Sequence, residues 1–102
     1  MTDSMRKVIQ EVQNRQAKIS NLRNQISSRD QQIKVIEKEQ ERIRQNMNQL
    51  DRTSDLYLRY VKKFSEQEDE VEKLRAEQKQ FQAELDAEQR SLQDFVANLS
   101  AE

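Results

Sequence analysis

The sequence predicts an all-α fold, an antiparallel two-helix coiled-coil hairpin turning near residues 51–54. Three observations predict it. The 102 residues include neither Gly nor Pro, and charged residues (36%) outnumber hydrophobic ones (33%). Apolar residues recur with 4-3 spacing in both halves of the chain. The two halves keep different phases, and the phase changes at the short polar run "DRTSD", residues 51–55. So few apolar residues cannot fill an ordinary globular core, but they suffice for a narrow helical seam. Disorder fits poorly, because polar disordered chains are usually rich in the Gly and Pro that are absent here. The dominant residues are strong helix formers.

Helix 1 is expected over about 4–50. Its d positions are Val8, Arg15, Leu22, Arg29, Ile36, Ile43 and Leu50, and its a positions are Val12, Ile19, Ile26, Ile33, Gln40 and Met47. A 3.5-residue repeat sustained this long marks a coiled-coil seam. The turn comes next at about 51–54, where Asp51, Thr53, Ser54 and Asp55 carry short side chains that compete for the backbone. Thr53 or Ser54 is expected to cap the second helix. The missing Gly counts against a turn, since many helices end in a left-handed residue. Helix 2 is expected over about 55–100, with a at Tyr57, Phe64, Val71, Gln78, Leu85, Leu92 and Leu99, and d at Tyr60, Gln67, Leu74, Phe81, Glu88 and Phe95.

Placing Leu50 against Tyr57 fixes a register in which facing residue numbers add to 107. Gln40 then meets Gln67, Arg29 meets Gln78, and Arg15 lies one layer from Glu88, close enough for an ion pair. An unpaired buried polar group costs about 1–3 kcal/mol, so polar residues meeting across the seam favour this register. Asp30 is expected beside Arg75 and Ile9 on Val96, whereas Glu37 near Glu68 and Glu39 near Glu70 would repel. Charge by halves agrees with a hairpin. Residues 1–50 carry 10 basic and 6 acidic side chains (+4), and residues 51–102 carry 8 and 13 (−5). The alternative is one continuous helix forming a parallel homodimer scaffold, which would place Arg15, Arg29 and Glu88 each against its own copy.

Several side-chain groups could carry chemistry. Glu66, Glu68, Asp69, Glu70 and Glu72, with Glu37, Glu39 and Glu41, could belt the Gln40 layer and hold a divalent cation. A solvated helical surface, relieved by Lys34, Lys38, Arg42 and Lys73, is preferred, because a calcium loop needs a Gly turn and fixed ligand spacing. Acid–base catalysis needs a water-excluding pocket, which a two-helix rod lacks, so an enzyme is not expected. Zero Cys and zero His remove thiol chemistry, the commonest metal ligand and the commonest general base, and no cofactor is implied. Tyr57, Tyr60 and Phe64 alternate with Arg59, Lys62 and Lys63, a pattern found where bases stack. All three aromatics lie on the seam, so closing the hairpin tip is the preferred reading.

Leu56, Leu58 and Val61 lie off the seam and suggest a docking face near the tip. Met5, Ile9 and Val96 widen the apolar stripe at the other end. The expected partners are therefore proteins: a second copy, or a parent domain. A nucleic-acid-binding arm using Arg6, Lys7, Arg15, Lys18 and Arg23 is the second reading, weakened by the scatter of those residues around the helix and by the net charge of −1. No signal peptide or membrane-spanning run is legible, so a soluble chain with no membrane partner is expected. "NLS" at Asn98–Ser100 fits the N-glycosylation pattern and is read as chance.

Two runs, "ERIRQNM" (41–47) and "LYLRYVKKFSEQEDEVEKL" (56–74), carry a resemblance. Residues 37–77 resemble the C-terminal helical region of bacterial proteins related to the mucoidy inhibitor, a family of unknown function. That resemblance implies a bacterial source and an excised C-terminal piece of a larger protein whose strand-rich region is absent. It brings no catalytic residues.

Overall fold

The computed structural model describes the backbone of residues 2–101 and the side chains of residues 2–100. The order is α1 (Asp3–Met47) then α2 (Asp55–Ala101), an all-α helical hairpin. Because α1 ends at Met47, the continuous-helix alternative does not hold. The first helix also stops three residues before the expected Leu50.

A turn without Gly is possible because no described residue takes positive φ. The helix tightens as it ends. The Asn48 N–H still reaches the Arg44 carbonyl, but those of Gln49 and Leu50 reach only three residues back, to Asn46 and Met47. Such i→i+3 bonds satisfy the last carbonyls without a left-handed residue. Asp51 then organises the reversal. Its Oδ1 accepts from the Thr53 N–H at 3.1 Å and the Thr53 hydroxyl at 3.0 Å, and its carbonyl accepts from the Ser54 N–H. Ser54 caps α2: its Oγ accepts from the Tyr57 N–H at 3.2 Å and donates to the Asp51 carbonyl at 2.7 Å. At the start of α1, the Thr2 hydroxyl accepts from the Met5 N–H at 3.1 Å, a cap the periodicity gave no reason to single out.

The chain divides into two compact units. The first joins residues 1–27 to 79–102. Its core is Ile19, Leu22 and Leu85, flanked by Ile26, Phe81 and Leu92. The second unit is residues 28–78, which include the turn. Ile33, Val71 and Leu74 pack with Ile36, and Ile43 is fully buried. Burying such a side chain stabilises by roughly 1.5–3 kcal/mol. Each cluster gathers residues that the expected register sets face to face, Leu22 and Leu85, Ile26 and Phe81 in one, Ile33 and Leu74, Ile36 and Val71 in the other. Every buried residue among those described occupies an expected seam position, and no expected seam residue is exposed.

Ser54→Ala removes the cap of α2 and is expected to cost about 1 kcal/mol. Ser54→Thr, which keeps a hydroxyl able both to accept from the Tyr57 N–H and to donate to the Asp51 carbonyl, should cost much less. Thermal unfolding of the two variants checks this; equal losses would contradict the assignment.

Candidate functional site

The polar seam residues are the first candidates, and two of their expected pairings are replaced by others. Gln40, only 5% exposed, does not join Gln67. Its Nε2 donates to Glu68 Oε1 at 2.8 Å, and Gln67 Oε1 is buried without a hydrogen-bond partner. A hydrogen bond to an ionised acceptor is about twice as strong as one between neutral amides. Glu68, flanking the seam, therefore takes the Gln40 donor.

Arg15 and Glu88 also part. Arg15 Nε reaches Glu11 at 2.7 Å and Nη1 donates to Ser91 Oγ at 2.6 Å, with the guanidinium 4.9 Å from the centre of the Phe95 ring. The planar fork can make all three contacts at once. Lys18 takes Glu88 at 2.9 Å, and that hydrogen bond raises the lysine pKa. Arg29 Nε reaches Glu77 Oε2 at 3.0 Å, and Arg29 and Gln78 are both half-buried.

Asp30 pairs with Lys34 at 3.0 Å rather than with Arg75, a shorter reach along one helix. Glu39 escapes the expected repulsion by accepting from Arg42 and from Lys63 Nζ, the latter at 3.4 Å. The Arg42 hydrogen bonds, helped by Lys63, hold its carboxyl at about 2, against the opposing effect of burial. The acidic run is thus dispersed: Glu41 pairs with Arg44 at 2.6 Å, and no group of three or more potential metal ligands gathers among the described residues. The aromatics at the tip are half-buried. Asn46 donates to the Tyr60 hydroxyl at 3.3 Å, and the Arg44 guanidinium lies 5.6 Å from the Phe64 ring centre.

The expected docking residues are all exposed: Leu56, Leu58 and Val61 near the turn, and Met5, Ile9 and Val96 in the other unit. A shallow groove lies between Arg44, Met47, Val61 and Phe64, and another is lined by Ser4, Met5, Val8, Ile9 and Leu99. Sequence reasoning missed Val35. It is 69% exposed and borders a groove with Glu39, Arg42, Lys63 and Gln67. The signal was available, since Val35 stands next to seam residue Ile36 but off the seam itself. Among the described residues, no helix is long and apolar enough to cross a membrane.

No protein family, curated protein or solved structure matches this chain.

Because Gln67 Oε1 is unsatisfied, Gln67→Leu is expected to stabilise the fold by about 1 kcal/mol. Gln40→Leu should gain less, since it gives up the bond to Glu68. Urea midpoints of the two variants decide, and the reverse order would refute the pairing described.

Acid should weaken the unit containing the turn. Two carboxyls there have lowered pKa values, Glu39 through Arg42, and Asp51 through the Thr53 N–H and hydroxyl. A depressed carboxyl contributes stability above its unfolded pKa and loses it as pH falls through its folded pKa. For Glu39 the loss runs from about 4.5 down to about 2. The melting temperature should fall across this range, and Glu39→Gln should flatten the decline.

Proposed function

We propose that the chain is a non-enzymatic coiled-coil module that holds or joins proteins: a spacer, an oligomerisation arm or a docking arm. The supporting observation is the distribution of exposed apolar residues. Leu56, Leu58 and Val61 stand at the turn, and Met5, Ile9 and Val96 stand in the unit holding the described ends. Exposed apolar groups rimmed by charge favour protein partners. The grooves beside Val35 and beside Val61 are bordered by such side chains and by the long charged stems of Arg42, Lys63 and Arg44, a setting suited to docking rather than to shifting catalytic pKa values. The resemblance of residues 37–77 extends the proposal to a bacterial protein of the mucoidy-inhibitor-related kind, with this hairpin as one of its arms.

A nucleic-acid arm is disfavoured by where three of its five basic residues go. Arg6 lies near Asp3, Arg15 pairs with Glu11, and Lys18 pairs with Glu88. Neutralised cations release few counterions from a phosphate backbone. Titration with single- and double-stranded nucleic acid at low salt tests the choice. No binding is expected; binding that weakens steeply with salt would overturn the protein-docking reading.

A further inference from the structure

We propose that the unit formed by residues 28–78 pairs with a second copy of itself about a two-fold axis, each tip lying on the other's acidic band. The proposal deepens the docking reading above and rests on it.

Charge is divided within this unit. Counted with the carboxylates that Arg42, Arg44 and Lys63 pair with, residues 39–63, which include the turn, carry six basic and four acidic side chains, a net of +2. The adjoining band, residues 28–38 and 64–78, carries five basic and eight acidic side chains, a net of −3. Antiparallel overlap of two copies sets the basic tip of each against the acidic band of the other. A two-fold contact needs one surface that complements itself, and opposite charges at its two ends satisfy that requirement.

Apolar residues lie on one face at matching places. The groove beside Val35 is bordered by Glu39 and Arg42 from α1 and by Lys63 and Gln67 from α2. Lys63 Nζ closes toward Glu39 across that face. Leu56 stands two helical turns before Lys63, on the same side of α2. It is 45% exposed, and Val35 is the most exposed large apolar residue among those described. The seam residue facing Ile36 is Val71, so an axis near Phe64 lies about midway between Leu56 and the level of Val35. Each Leu56 then enters the Val35 groove of the other copy, and Arg59 and Lys63 meet the band holding Glu66 and Glu70. The groove at Val61 shares no lining residue with the Val35 groove and takes no part.

Sedimentation at low salt, over a range of concentrations, reads the association. Dimers are expected, weakening as salt rises from about 0.05 to about 0.5 M as the charges are screened. Val35→Lys and Leu56→Glu each place a like charge opposite the partner's surface and should weaken the dimer by at least about tenfold. Val61→Glu should leave it unchanged. The absence of native Cys allows a second measurement that needs no destabilising change. Mixed Val35→Cys and Leu56→Cys chains should form a disulfide-linked pair much faster than Leu56→Cys chains alone. A monomer at every concentration, or equal cross-linking rates, would overturn the proposal. Dimers broken only by Val61→Glu or Ile9→Lys would also overturn it, while leaving the docking reading in place.

Discussion

The structure depends on one constraint: neither helix can bury its apolar residues alone. With a third of its residues apolar, the chain has enough hydrophobic surface for a stripe and too little for a core. A stripe stays wet until a second stripe covers it. Ile33, Leu74 and Val71, and likewise Leu22 and Leu85, leave water only because α2 returns along α1. In proteins, helix stability comes mostly from packing such a face rather than from propensity.

That return needs a turn, and the turn makes its own demands. A left-handed Gly is one way to stop a helix. This chain uses another: shortened carbonyl bonds at Asn46 and Met47, a carboxylate at Asp51 that collects two donors, and a serine that caps α2. Each part satisfies a backbone group that the helix ends leave open. The turn and the seam also agree. The chain reverses where the heptad phase changes, so the same residues that close the loop, 48–54, fix which stripe residues meet.

Around the seam, charge settles locally. Arg42 and Arg44 reach back three residues to Glu39 and Glu41, and Lys34 reaches Asp30. Cross-helix pairs form where a flanking carboxylate comes within reach of a partly buried donor, as at Gln40–Glu68 and Arg29–Glu77. Exposed pairs of this kind contribute little to stability. Their distribution leaves a basic tip beside an acidic band, and the apolar residues that escape burial stand among those charges.

Sequence alone determined the two helices, the reversal to within three residues and the seam positions from which the buried set is drawn. These come from spacing, and spacing is a property of the chain: a residue at a or d in a sustained repeat has only one face to occupy. The cap was legible only as Thr53 or Ser54, and the structure decided for Ser54, whose hydroxyl serves the backbone three residues on. Tertiary structure alone decided the partners of the polar seam residues. Gln40 chose Glu68 over Gln67, and Arg15 divided itself among Glu11, Ser91 and Phe95. Heptad letters say which residues share a layer, but long side chains reach past their layer. They settle on the strongest acceptor within reach, and that choice depends on distances the letters do not contain. The exposure of Val35 was decided in the same way, because an apolar residue off the seam is buried or bare according to what its neighbours cover.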